Sequence, residues 1–139
     1  MSNQDFIVDP DSKDIQIVGS IPICIAEHFE IICDLEVKMY PGSIKHLKKR
    51  HPGIFEQYFS MIPNIIGNPD YVGRNPTEPH SIELYKMISD CMLIAIKLDP
   101  SGYLYLASMY DLNNPHTKIS KRLKSGRIVS FHTLRSSLK

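Results

Sequence analysis

Several familiar signatures of enzyme chemistry are missing from this chain: it contains no GxxxxGKS/T, no GxGxxG, no HExxH and no GxSxG, which leaves P-loop, dinucleotide, zinc-protease and serine-hydrolase chemistry weakly supported. Net charge is nearly absent as well. Sixteen Lys+Arg stand against fifteen Asp+Glu, a formal charge of +1, so the chain is not a basic protein that coats nucleic acid through charge alone, and any polyanion site must be local. Cysteine is scarce and odd in number: Cys24, Cys33 and Cys91 lack CxxC spacing, which argues against a zinc or redox centre and suits buried thiols in a reducing compartment. The carboxylates form no evident metal-binding cluster either. No apolar run approaches ~18 residues and the N-terminus MSNQDFIVDPDSKD is polar and acidic, so no membrane span or signal peptide is expected.

What is present fits one domain. A chain of 139 residues that is 42% hydrophobic can bury ~68–70% of the surface its unfolded form exposes. Residues 1–14 read as a flexible arm and 15–139 as a single domain. IQIVGS reads as a strand, 22–33 as helical or mixed, and 35–40 as a second strand. Ser43 is a natural N-cap for a helix over 44–51, which Pro52 ends because a residue before proline avoids helical geometry. Phe55, Phe59, Ile62 and Ile66 predict a second helix over 55–66, interrupted at Pro63. A polar, proline-rich connection, VGRNPTEPH, follows. SIELYKMI, CMLIAIKL and GYLYLASMY are then joined by hairpin-length links at Ser89-Asp90 and Asp99 to Gly102, which predicts an antiparallel meander over 81–88, 92–98 and 103–110. HTKISKRLKSG suits a helix closed by Gly126, and GRIVSF a last strand at a sheet edge.

Chemistry concentrates in SIKHLKKRHPG, residues 43–53. At ~100° per residue, Ile44, Leu47, Lys48 and His51 share one side of the helix, and His46, Lys49 and Arg50 the other, so the two histidines point about 140° apart. That disfavours a two-histidine metal grip, which needs i and i+4 on one face. His51, at the helix C-terminus, suits acid/base work, although a histidine there more often only satisfies the helix end. His46, Lys49 and Arg50 could touch phosphate or simply be a solvated face. Strand alternation places Lys86 in line with Ile82, Leu84 and Ile88, and Lys97 in line with Leu93 and Ala95. Each lysine reaches either the sheet margin or a cleft. Leu104, Leu106, Ser108 and Tyr110 share a face by the same alternation, so the two hydroxyls meet either loop backbone or a ligand.

The order PGSIKHLKKRHP, IPNIIGNPDYVG, SIELYK, an apolar strand and GYLYLASMYD resembles the phage-associated Barnase-EndoU-ColicinE5/D-RelE-like nuclease domains, particularly their third group, over about residues 36–130. The resemblance implies an α+β fold with N-terminal helices packed on one face of an antiparallel sheet. It implies a metal-independent endoribonuclease-like effector or toxin of phage or prophage origin, acting by 2′-hydroxyl attack in the cytoplasm of a host bacterial cell, without cofactor. Residue by residue it points to His51 for proton transfer, Lys86 for electrostatic stabilisation, and Ser108 with Tyr110 for orienting the phosphate. His46, Lys49, Arg50, Lys118, Lys121, Arg122 and Lys124 would hold the RNA backbone, with Tyr85 or Tyr110 available for base stacking. Expected partners are RNA and either an antitoxin or immunity protein or a host defence protein. The rival reading is a catalytically inactive nuclease-like binding module, such as a phage inhibitor of a host defence protein.

Overall fold

The computed structural model describes residues 6–137. Seven strands form one sheet in the order β1-β2-β6-β5-β4-β3-β7, where β1 is Gln16–Ser20, β2 Glu36–Met39, β3 Tyr71–Arg74, β4 Ser81–Met87, β5 Cys91–Asp99, β6 Tyr103–Asp111 and β7 Ile128–Ser130. The helices are α1 Ile23–His28, α2 Pro41–Arg50, α3 Pro52–Tyr58, α4 Ile62–Gly67, α5 Pro115–Ser125 and α6 Phe131–Ser137. The class is α+β, as expected. Every strand pair is antiparallel except β2 with β6, which run parallel.

The hairpins follow the turn chemistry. Between β4 and β5, Ile88 N–H donates to the Asp90 carbonyl at 2.8 Å, and between β5 and β6 Gly102 turns the chain at φ 96°, a conformation costly for any residue with a Cβ. The meander 81–111 is therefore antiparallel, with β4, β5 and β6 as consecutive neighbours.

Prolines set the helix boundaries. Tyr40, extended at ψ 148°, caps α2 with Pro41 as its first residue, so the helix begins before the Ser43 cap that the sequence suggested. A proline is favoured there because its missing N–H has no intrahelical partner in any case. Pro63 similarly falls in the first turn of α4, and the expected helix over 55–66 breaks into α3, a 3₁₀ turn at Phe59–Met61, and α4.

Two apolar clusters sandwich the sheet. The larger joins Ile25 of α1, Ile44 and Leu47 of α2, and Ile62, Ile65 and Ile66 of α4 to Val37, Met39, Leu84, Ile94, Leu104 and Leu106 of the strands. Each such fully buried aliphatic side chain contributes ~1.5–3 kcal/mol. The smaller joins Ile119 of α5 to Tyr85, Cys91, Leu93, Leu112 and Ile128. These two lists define the two sides of the sheet.

Two features were not anticipated: Tyr71–Arg74, read partly as connection, is strand β3, held between β4 and β7, and helix α6 follows β7 directly. The strands expected at IQIVGS and 35–40 are β1 and β2, which lengthen the sheet beyond β6. Residues 6–14 are tied to the body: Asp9 N–H donates to Gln16 Oε1 and Gln16 Nε2 to the Asp9 carbonyl, both at 2.8 Å, and Lys48 pairs with Asp11 at 3.1 Å. The remainder of the expected arm, residues 1–5, lies outside the described residues. Among the described residues no helix is long and apolar enough to cross a membrane.

Candidate active site

Strand β2 pairs with β6 only through Val37–Leu104 and Lys38–Tyr105. Beyond that point β2 gives way to α2, and α2 rather than another strand lies along residues 106–110 of β6. A small cavity opens in this gap, about 60 Å³, lined by Met39, Ser43, His46, Leu47, His51, Leu106, Ala107, Ser108, Met109 and Tyr110. Two histidines and three hydroxyls thus meet at the junction of helix and sheet edge. The imidazoles and hydroxyls that line it suit a small polar group such as a phosphoryl.

His51 reaches this place because the helix has already ended. Its φ and ψ are −138° and 62°, while its N–H still bonds the Leu47 carbonyl at 2.8 Å and its carbonyl accepts Phe55 N–H at 2.9 Å. The helical projection that set His46 and His51 about 140° apart does not apply to a residue outside the helix, and both exposed imidazoles border one cleft. Ser43 joins them because it lies one turn before His46 on α2. Sequence reasoning missed Ser43 as a lining residue by assigning it to the helix cap; the i, i+3 relation to His46 was the available signal.

A bulge in β6 supplies the other wall. Leu106 lies opposite Ile96 and Ser108 opposite Ala95, so Ala107 is an extra residue with no counterpart on β5. Leu104, Leu106 and Met109 point into the larger core, and Ser108 and Tyr110 lie on the other side, in line with Ala95 and Leu93. The expected single row Leu104-Leu106-Ser108-Tyr110 is therefore corrected: strict alternation fails at Ala107 because a bulge shifts the pleat by one residue.

Lys86 is not among the residues lining the cavity. It lies opposite Met92, on the larger-core side of the sheet and so across the sheet from Ser108 and Tyr110, and its Nζ donates to the Asn68 carbonyl at 2.8 Å. The adjoining NPD turn is further fixed by Met87 N–H to Asp70 Oδ2 at 2.6 Å and Asp70 N–H to the Tyr85 carbonyl at 2.7 Å. Lys97 faces the opposite side and pairs with Glu78 at 2.8 Å at the sheet margin.

Tyr85 is fully buried and does not offer a stacking surface. Its hydroxyl donates to Glu83 Oε1 at 2.9 Å and accepts from Arg122 Nη1 at 2.8 Å, while Arg127 holds both Glu83 oxygens at 2.9–3.1 Å. Arg122 is thus engaged in the fold. Lys118, Lys121 and Lys124 lie elsewhere on α5, and none lines the cavity; Lys49 and Arg50 are exposed on the last turn of α2. Tyr110 borders both the cleft and the smaller core. Burial, followed by the nearby Glu83 charge, raises its phenol above the usual value, against the pull of Arg122 and Arg127. It therefore stays a hydrogen-bond donor around neutrality.

Two larger hollows occur elsewhere. One, about 460 Å³, is bordered by Phe29, Ile31, Ile82, Ile96 and Leu98, and the other, about 580 Å³, by Asn68, Asp70, Tyr71 and His132. Size alone would favour them, but the first is mainly apolar and in the second Asp70 is already occupied by backbone. Among the described residues no group of three or more His, Cys, Asp or Glu side chains could hold a metal ion.

No curated protein and no solved structure matches this chain. The family model described as phage-Barnase-EndoU-ColicinE5/D-RelE like nuclease3 matches residues 16–121, from the first residue of β1 into α5, and so spans α2, the NPD turn, the meander and the whole cleft. With a match over most of its length, the chain belongs to this phage-associated family of nuclease-like domains.

Proposed function

We propose that the cleft between α2 and β6 cleaves RNA without a metal ion, as a phage- or prophage-encoded endoribonuclease-like effector in the bacterial cytoplasm. The observation that carries this reading is that His46 and His51 border one cavity together with Ser43, Ser108 and Tyr110. Strand scission by the 2′-hydroxyl needs one group to take the 2′ proton and another to give a proton to the departing 5′ oxygen. The 2′ oxygen bonds to phosphorus as the P–O5′ bond breaks, leaving a 2′,3′-cyclic phosphate and a 5′-hydroxyl. His51 is one of the two proton carriers and His46 is placed to be the other. The serine hydroxyls and the protonated Tyr110 phenol are donors for the phosphoryl oxygens. Lys49 and Arg50, in the two positions before His51, offer positive charge beside the cleft, and Lys86 serves the NPD turn instead.

The test is incubation of the purified protein with total bacterial RNA in EDTA, with analysis of product ends. The expected products carry 2′,3′-cyclic phosphate and 5′-hydroxyl termini, and His51→Ala slows their formation by ~10²–10⁴-fold at an unchanged melting temperature. Two proton carriers in opposite protonation states also give a bell-shaped pH–rate profile. The position of Lys86 outside the cleft favours a second reading, an inactive module that uses the same cleft to hold RNA or a host defence protein. Absence of cleavage by the parent protein selects it, whereas full cleavage by His51→Ala removes His51 from the reaction and leaves the inactive module excluded.

A further inference from the structure

On the side of the sheet away from the larger core, three tyrosines and two lysines gather over β2, β6 and β5. Lys38 lies opposite Tyr105, and Tyr105 opposite Lys97. Tyr103 precedes Tyr105 by two residues on the same side of β6, and Tyr40 follows β2. The ring centres of Tyr40 and Tyr105 are 5.9 Å apart with planes at 66°, and those of Tyr103 and Tyr105 are 6.2 Å apart at 53°. Lys38 Nζ stands 4.5 Å from the centre of the Tyr103 ring, and the Tyr40 and Tyr103 hydroxyls are hydrogen-bonded to each other.

This group is not part of either core. Its neighbours in the alternation, Val37, Met39, Leu104 and Leu106, are at most 1% exposed, whereas Lys38, Tyr40, Lys97, Tyr103 and Tyr105 are all half-buried. The smaller core, where α5 packs, does not include them. What remains is an aromatic surface on the open side of a sheet, with rings fixed by one another and by a hydroxyl pair. Cross-strand aromatic pairs contribute modestly to a sheet, and such a surface also suits the flat faces of unpaired bases.

Its position ties it to the cleft. Tyr40 directly precedes α2, which carries Ser43 and His46, and the bulge at Ala107 keeps Ser108 and Tyr110 on the same side of β6 as Tyr103 and Tyr105. We infer that Tyr40, Tyr103 and Tyr105, flanked by Lys38 and Lys97, form a stacking platform that receives the bases of single-stranded RNA and leads its backbone into the cleft between α2 and β6. This rests on the ribonuclease reading for the identity of the strand. Bases in a duplex are already stacked and paired, so the platform selects single strands. Only two lysines flank it, one of them paired with Glu78, so its share of the salt dependence is small, with a slope of at most about −1.4 in log K against log salt.

The experiment measures binding separately from cleavage. The His51→Ala protein is titrated with a short fluorescein-labelled RNA as a single strand, as a duplex, and as an otherwise identical single strand with abasic positions. Tight binding of the first alone is expected. Tyr105→Leu and Tyr103→Leu should each weaken it by about 5- to 150-fold, the range for loss of one stacked base, while Tyr103→Phe, which keeps the ring, should bind like the parent. Melting curves identify any variant that fails to fold, and two separate leucine positions keep the outcome readable. Equal binding of the abasic strand or the duplex, or unchanged binding by both folded leucine variants, overturns the platform. If the platform variants lose binding but the parent protein cleaves no RNA, the nuclease reading falls and the platform stands. If cleavage depends on His51 and the leucine variants bind and cleave like the parent, the reverse holds.

Discussion

Ser108 lies directly across from Ala95, although Leu106, two residues earlier, lies across from the adjacent Ile96. The extra residue, Ala107, turns Ser108 away from the core that Leu106 enters and toward the side shared with Tyr110. It also bends β6 beside α2, where the cleft opens.

Deleting Ala107 should leave every cross-strand partner in register and straighten the strand. We expect a folded protein whose melting temperature changes little and whose cleavage rate falls about 10²-fold, the usual effect of moving reacting groups by about 1 Å. A large loss of stability in the melting curve would show that the bulge serves packing.

Gly73 sits where β7 crosses close to β3. A Cβ there would meet the Arg127 carbonyl oxygen at 2.4 Å and Ile128 Cγ2 at 2.6 Å. Backbone cannot yield as a side-chain tip can, so Gly73→Ala should cost about 1–3 kcal/mol in urea unfolding, with no added loss of activity while folded. A neutral result would mean that β7 is loosely attached.

Glu83 is 2% exposed, and Arg127 grips both its oxygens. Arg127→Met strands a buried carboxylate and should destabilise by about 3–5 kcal/mol, whereas adding Glu83→Gln should recover much of that loss. Denaturant midpoints of the two single variants and the double variant give the coupling directly.

Burial pushes the Cys91 thiol up to about 11 from its ordinary 9.0, with the Asp70 charge adding to the shift, and burial also raises the Tyr85 phenol. Both groups hold their protons more tightly folded than unfolded. Their contribution is complete below the unfolded values and is lost as pH rises toward the folded ones. The melting temperature should therefore decline from about pH 9 upward, and Cys91→Val should flatten the part between 9 and 11, worth roughly 2 kcal/mol. An unchanged alkaline slope in that variant would assign the effect to the tyrosines whose phenols are raised, Tyr85 and Tyr110 among them.

The meander and the final strand were legible because their signals are local: turn residues at Ser89-Asp90 and Asp99 to Gly102, and Gly126 after a helical pattern. The pairing of β2 with β6 was not, since Val37 carries no mark of Leu104. Nor was β3, whose Gly73 and Arg74 read as loop and which is strand only between two neighbours. At the cleft, the direction of His51 is not given by helical geometry, because that geometry ends one residue earlier, at Arg50. Pro52 already stated that position 51 leaves the helix. The bulge was silent, because LYLASMYD alternates acceptably with or without it, and Tyr85 looked available only because nothing local announces the buried partners Glu83 and Arg122.

The parallel contact of β2 with β6 has a consequence for biosynthesis. One wall of the cleft is made near residue 43 and the other near residue 108, and the intervening helices and strands must be present before the two can meet. At ~5–20 residues per second the ribosome needs on the order of 3–15 seconds to travel between them. Throughout that interval the emerging polypeptide carries His46 and His51 without a surface to oppose them, so the cleft assembles only once β6 has left the exit tunnel. If the cleft cleaves RNA as proposed, the chain would thereby remain inert beside the messenger and ribosome that are making it.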